Sequence, residues 1–214
     1  MINRSVIAEF VRLLKRIADE HDRAKCAQLR RSLSYEPGTC FEVMPYLGPI
    51  IGKIHSEQDK RAVYLVAGWY GLWRSKVSGD SWLYPYEGLP FGRAMRSSLS
   101  ADSFNVKKNE EKNIARLLNL DASGLEILVP LIIGKIARYP YIFINWGQLL
   151  EDVASWGEGS SWSPPDASRN WIHPSRRWAE DFWKSRISNP SNNDSNDLGT
   201  EKSLLLTVQK DIVV

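Results

Sequence analysis

The side chains that could carry out catalysis are few and lie far apart in the chain. Histidine occurs at His21, His55 and His173, and cysteine at Cys26 and Cys40. None of these residues follows the Cys-x-x-Cys or His-Glu-x-x-His spacing of a metal site. The sequence therefore predicts no metal site and no bound cofactor. Two cysteines without such spacing are typical of reduced thiols in a cytoplasmic protein.

Acidic residues occur as adjacent pairs, which is a poor arrangement for acid–base catalysis. The pairs are Glu110 and Glu111, Glu151 and Asp152, and Glu180 and Asp181. Neighbours on a helix point about 100° apart, so the two carboxylates do not face each other across a substrate. We interpret the pairs as solvated helix faces. The chain also lacks a Gly-x-Ser-x-Gly elbow and a Walker A loop, so we predict that it is not an enzyme and has no catalytic residues.

The remaining chemistry lies in the basic residues. Lysine and arginine total 28 against 25 acidic residues, a net charge of +3. This balance is only mildly basic, so binding of nucleic acid depends on cations that cluster on one face. Arg93 and Arg96 lie three residues apart and share a helix face. The full set of candidate phosphate contacts is Lys25, Arg30, Arg31, Arg93, Arg96, Lys107, Lys108, Lys112 and Arg116.

The elements that carry these residues are predicted to be helices. Val6, Phe10, Leu14 and Ile17 recur at helical spacing in the first segment. Further helices are predicted after the cap Asp22, over 57–74, over 91–99, after Asp121 or Ser123, after the cap Asn145, and from Pro174. In the helix that begins near residue 121, we expect Leu125, Leu128, Ile132 and Ile136 to face the core. The prolines and glycines between 37 and 52 predict a loop.

No segment shows a convincing strand alternation, so the predicted fold class is all-α, with helices packed as bundles in two small subdomains. We place these subdomains at 1–100 and 101–187. The segment 188–214 is rich in Asn, Ser and Asp at its start and is predicted to be a disordered tail. No apolar run approaches the roughly 20 residues needed to span a bilayer, and no signal-peptide core follows Met1. We therefore expect a cytoplasmic protein without a membrane partner.

Seven short patterns in fixed order resemble the CasB family, the small subunit of the type I-E CRISPR complex Cascade. The two most specific are 144–156, which begins Ile-Asn-Trp-Gly-Gln-Leu-Leu-Glu-Asp-Val, and 177–183, Arg-Trp-Ala-Glu-Asp-Phe-Trp. The other five are Ala-Gln-Leu-Arg-Arg-Ser-Leu at 27–33, Pro-Tyr-Leu-Gly-Pro at 45–49, 63–72, Gly-Arg-Ala-Met-Arg at 92–96, and Asn-Ile-Ala-Arg-Leu-Leu at 113–118.

The resemblance implies a non-catalytic helical subunit of an RNA-guided complex. Its implied partners are the crRNA and target DNA, the backbone subunits and the large subunit of Cascade, and a second copy of itself. In this role the basic residues hold the target heteroduplex and the displaced strand. A second group of cations contacts either nucleic acid or the protein subunits, namely Lys135, Arg138, Arg176 and Arg177. Two alternatives remain: a helical nucleic-acid-binding regulator outside CRISPR, and a metal-dependent nuclease with a dispersed acidic site.

Overall fold

The computed structural model describes residues 2–77, 88–100, 111–112, 114–119, 121–156 and 173–187. The helices are α1 (Arg4–Asp19), α2 (Arg23–Ser32), a 3-10 turn (Phe41–Val43), α3 (Met44–Ile51), α4 (Glu57–Lys76), α5 (Phe91–Ser100), α6 (Ala122–Ile136), α7 (Trp146–Ser155) and α8 (Pro174–Ile187). The described parts of 111–118 are also helical. Over these ranges the only extended pairing is one isolated bridge between Leu89 and Ile144. The all-α prediction is confirmed.

Polar side chains begin several of these helices, as the sequence predicts. Asp22 accepts a hydrogen bond from the backbone N–H of Lys25 at the start of α2. Asn145 caps α7 in the same way. Of the two candidate caps for α6, Asp121 is the one that accepts the backbone bond. Each cap satisfies an amide that the helix itself leaves unpaired.

The predicted loop over 37–52 is wrong in its second half, because Met44–Ile51 forms α3. Pro45 lies in the first turn, where no intrahelical N–H is required, and Pro49 lies inside the helix. A single missing hydrogen bond is tolerated because Leu47 and Ile50 bury their side chains. The helix contacts α1 and α4. Tertiary packing therefore outweighs the local signal of proline and glycine.

Helix α4 is the centre of the described fold. It packs against α2, α3, α6 and α7. Its buried Tyr70 and Trp73 stack edge to face with Trp146 of α7, at centroid distances of 5.4 and 5.8 Å. A Cβ atom on Gly71 would lie 2.6 Å from the backbone nitrogen of Arg30, so α2 rests directly on α4 at this glycine. This contact fixes the backbone of α2.

The stripe of α6 that faces the core matches the prediction at Leu125 and Ile136 but not at Leu128 and Ile132. Its buried residues include Leu125, Val129, Ile133 and Ile136. Leu128 and Ile132 are only half-buried, so their assignment to the core side is wrong. The segment is apolar on nearly every side, and its periodicity does not select one face.

The chain divides into two compact units, Met1–Phe182 and Trp183–Val214. Within the first unit, α4 from the predicted 1–100 part packs against α6 and α7 from the predicted 101–187 part. The subdomain boundary near residue 100 stays a prediction. Of the second unit, the structure describes only the end of α8, and the predicted tail at 188–214 lies outside the described residues. No helix among those described is both long and apolar enough to cross a membrane.

Candidate nucleic-acid interface

Helix α2 carries three candidate cations in three different environments. Arg30 is exposed and makes no ion pair within the described part of the chain. Arg31 is exposed too, and its guanidinium donates to Glu42 at 2.9 Å. Lys25 is half-buried between the carboxylates of Asp22 and Glu20, at 3.0 and 3.1 Å. Hydrogen bonds to these two carboxylates raise the pKa of Lys25. Arg30 is therefore the most available of the three candidate cations.

Helix α5 holds its two arginines in loose ion pairs. The Nε of Arg93 lies 3.7 Å from Asp181 Oδ1, and Nη1 of Arg96 lies 3.6 Å from Glu111 Oε1. Both distances exceed those of a good hydrogen bond, so these pairs are held less firmly than that of Arg31. The guanidinium of Arg96 also lies 5.6 Å from the centre of the Phe182 ring.

A glycine accounts for the position of Asp181 beside Arg93. A Cβ atom on Gly92 would lie 2.4 Å from the carbonyl oxygen of Trp178 and 2.8 Å from Cβ of Asp181. Helix α8 can therefore lie directly against α5, with Asp181 beside Arg93. Only glycine at position 92 permits this approach.

The segment after α5 adds two exposed cations. Lys112 and Arg116 are four residues apart and both helical, while Ile114 and Leu117 are buried. The spacing places both cations on one face. Lys107 and Lys108 lie outside the described residues. The ion pair between Arg96 and Glu111 places this stretch beside α5, so Arg93, Arg96, Lys112 and Arg116 lie on two neighbouring elements. We call these four residues the α5 group.

The expectation that the adjacent carboxylates are solvated is wrong for Asp152. This side chain is fully buried in α7, where its Oδ2 accepts a hydrogen bond from Trp178 Nε1 at 2.5 Å and its Oδ1 pairs with Arg177. Burial raises the pKa of Asp152 to about 7, and Arg177 and Trp178 oppose that rise. Asp152 lies three residues after the apolar Leu149, a spacing that places both on one face of the helix. This spacing is the one feature of the sequence that indicates burial of Asp152. Arg177 thus serves an internal contact.

The other cations of the second group are Arg176 in α8, and Lys135 and Arg138 in or next to α6. Arg176 is exposed and pairs with Glu180 at 3.0 Å, one turn further along α8. Lys135 is in the last turn of α6, and Arg138 follows the end of that helix. Their surroundings differ from those of the α5 group, because exposed apolar side chains lie near them.

Two features of the described residues concern metal binding and thiol chemistry. No three or more His, Cys, Asp or Glu side chains in these ranges come together as a metal site. Cys26 is buried between α2 and α4, and burial raises the pKa of its thiol to about 11. Such a thiol is protonated at neutral pH and is a poor nucleophile.

Comparison with known proteins gives a consistent set of relatives. The family model for CRISPR-associated protein Cse2 matches residues 25–183. A CRISPR-associated protein Cse2 from Thermus thermophilus is 29% identical over 180 residues, which cover 81% of this chain and 88% of that protein.

Two solved structures share the fold. One is a CRISPR-associated protein of the Cse2 family from Thermus thermophilus, with a TM-score of 0.61 at 24% identity, over 83% of this chain and 97% of that one. The other is a chain of a CRISPR RNA-guided surveillance complex, with a TM-score of 0.62 at 18% identity, over 86% of this chain and 99% of that one.

Proposed function

This chain belongs to the Cse2 (CasB) family of CRISPR-associated proteins, and we propose that it is the small, non-catalytic subunit of a cytoplasmic type I-E surveillance complex, Cascade. In that complex it holds nucleic-acid backbones and stabilises the R-loop during antiviral defence. Its partners are the crRNA and target DNA, the backbone and large subunits, and a second copy of itself. The family match over residues 25–183 supports the assignment.

The observation that carries the nucleic-acid part of the proposal is a set of exposed cations that no described acidic residue neutralises. Arg30, Lys112 and Arg116 are exposed and form no ion pair with any other described residue. Phosphates need cations at intervals but no hydrogen-bonding pattern of base edges. In RNA-guided recognition, base pairing reads the sequence and protein supplies cationic contacts to the backbones. The arrangement fits that division of labour.

The loose ion pairs of α5 fit the same function. A phosphate oxygen that approaches Arg93 replaces the carboxylate of Asp181, and one that approaches Arg96 replaces that of Glu111. The exchange costs little because both ion pairs are long, at 3.7 and 3.6 Å, and ion pairs of this kind contribute little.

Fluorescence anisotropy of the full-length chain with short DNA and RNA tests the proposal. We expect weak binding without sequence preference, and a logarithmic association constant that falls linearly with the logarithm of salt concentration. Replacing Arg30 and Arg116 with alanine should lower the affinity for all the DNA and RNA probes by the same factor. Replacing Arg61, which pairs with Glu126, with alanine serves as the control. Tight, salt-insensitive binding to one sequence favours the regulator, and metal-dependent cleavage of the probe favours the nuclease.

A further inference from the structure

The outer face of α6 presents large apolar side chains to solvent. Ile127 is 70% exposed and Leu131 is 60% exposed. They lie four residues apart and therefore stand next to each other on successive turns. The buried stripe of the same helix, which includes Val129 and Ile133, faces the opposite way, toward the core. A single exposed leucine is ordinary, but two large apolar side chains on adjacent turns form a ridge that water solvates poorly.

A groove of about 340 Å³ runs beside this ridge. Its walls are the apolar residues Leu128, Pro130, Leu131 and Ile132, together with Gly134 and the cations Lys76, Lys135 and Arg138. We call this groove and the adjoining Ile127 the α6 face.

The cations lie at one end of the α6 face. Lys135 is in the last turn of α6, and Arg138 follows the helix. The ammonium group of Lys76 in α4 lies 2.9 Å from the place where a Cβ atom on Gly134 would stand. Among the described residues, no acidic side chain lines the groove. The face therefore has an apolar half and a positively charged half.

The charges alone would suit a phosphate backbone, but the apolar half does not. A nucleic-acid backbone laid along α6 would place phosphates against Ile127 and Leu131 and lose hydration without gaining a polar contact. A protein helix with leucine or isoleucine on one face and Asp or Glu beside them matches both halves. This complementarity separates the α6 face from the α5 group.

We propose that the α6 face docks an acidic amphipathic helix of another protein subunit in the assembled complex. Ile127 and Leu131 pack against its apolar side, and Lys76, Lys135 and Arg138 pair with its carboxylates. The inference rests on the proposed membership in a multi-subunit complex, and it goes further by naming the surface and the chemistry of the partner. Lys135 and Arg138 then contact protein rather than nucleic acid.

The test uses variants of the full-length chain, co-expressed with the crRNA and the other subunits. I127Q/L131Q removes the apolar ridge, and F41Q is the control because Phe41 is 84% exposed and lies outside the α6 face. Native mass spectrometry over a dilution series measures how much of the chain stays in the complex. We expect I127Q/L131Q to dissociate at a concentration at least tenfold higher than wild type, and F41Q to behave as wild type. Melting temperature and DNA affinity of the isolated I127Q/L131Q chain should be unchanged.

A charge variant tests the acidic nature of the partner. K135E/R138E should also weaken assembly at least tenfold, and its defect should shrink as salt is raised. Normal assembly of K135E/R138E would overturn an acidic partner, and normal assembly of I127Q/L131Q would overturn the docking surface.

Three further outcomes separate the alternatives. Loss of DNA affinity in the isolated I127Q/L131Q chain would overturn the inference by assigning the face to nucleic acid. If the wild-type chain self-associates on sedimentation and I127Q/L131Q does not, the inference is overturned, because a second copy of the chain then occupies the α6 face. A wild-type chain that enters no complex would refute the proposed function and the docking inference together, whereas failure of the docking inference alone leaves wild-type assembly intact.

Discussion

The indole Nε1 of Trp178 in α8 donates a hydrogen bond of 2.5 Å to Oδ2 of Asp152 in α7, and neither side chain is exposed to solvent. The other carboxylate oxygen pairs with Arg177. The indole ring packs between Phe91 and Trp156, at centroid distances of 4.6 and 4.7 Å. The carboxylate of Asp152 therefore connects α8 to α7, and the indole ring that it holds contacts α5.

Replacing Asp152 with alanine should destabilise the fold by about 3 kcal/mol, because it leaves Trp178 Nε1 and Arg177 without their acceptor. Arg177 is one-third exposed, so water recovers part of the loss. The measurement is urea unfolding followed by circular dichroism. Glu151→Ala is the matched control on the same helix and should change the free energy of unfolding by less than about 0.5 kcal/mol. Equal effects of the two variants would contradict a structural role for Asp152.

The raised pKa of Asp152 predicts a particular pH dependence of stability. The folded-state pKa is about 7 and the ordinary value is 3.8, so between these values the folded chain holds a proton that the unfolded chain has released. The contribution of this group to the free energy of unfolding is therefore fully present below about pH 4, falls as the pH rises toward 7, and is flat above 7.

Asp152→Asn isolates this contribution, since asparagine does not titrate. The charged groups that act on Asp152 are Arg177, Glu151 and Asp181, and all three remain in the variant. The melting temperature of wild type minus that of the variant should decline from pH 4 to pH 7. A difference that grows over the same range would show that the Arg177 pair outweighs burial.

Substitution by alanine should have opposite effects at Gly71, where α2 contacts α4, and at Gly48 in α3. Gly71→Ala should cost at least about 2 kcal/mol, because its Cβ would lie 2.6 Å from backbone atoms of Cys26 and Arg30. Gly48→Ala should be neutral or stabilise α3 by up to about 1 kcal/mol, because nothing lies within 4 Å of the added carbon. Thermal unfolding measures both. A harmless Gly71→Ala would mean that α2 does not rest on this residue.

Much of the fold follows from local sequence signals. The caps Asp22, Asp121 and Asn145 and the apolar spacing in α1 predict helices that the structure contains. Local signals fail where tertiary packing determines the structure. Helix α3 forms although Pro49 lies inside it. Helix α6 is apolar on nearly every side, so its sequence does not show which side faces the core.

The candidate site is less readable from the sequence. The sequence shows which residues are basic and how many there are. Their ion-pair partners, however, come from distant segments, such as Glu42 for Arg31 and Asp181 for Arg93. No local pattern predicts those pairs, because they depend on how the helices pack. The burial of Asp152 depends equally on where α8 lies.

The ion pair of Arg93 and Asp181 predicts that the Asp181 carboxylate competes with nucleic-acid phosphates for the guanidinium of Arg93. Asp181→Asn should raise the affinity of the isolated chain for duplex DNA about two- to fivefold, the equivalent of about 0.5–1 kcal/mol. Glu57→Gln removes one exposed carboxylate that pairs with Lys60 instead and controls for net charge. In an Arg93→Ala background the extra gain from Asp181→Asn should vanish. A gain no larger than that of Glu57→Gln would contradict the exchange of partners.

The most direct test of the proposed function is the lifetime of the R-loop on matched target DNA. The variant replaces Arg30, Arg31, Arg93 and Arg96 with alanine, and a control replaces Arg12, Lys53, Lys60 and Arg61, so that each loses four positive charges. R-loop formation is a near-balanced exchange of duplexes, so a few lost phosphate contacts of about 1 kcal/mol each change its stability by orders of magnitude. We predict normal assembly of both variants and an R-loop lifetime at least tenfold shorter for the first variant alone. A wild-type lifetime for that variant in a fully assembled complex would contradict the account.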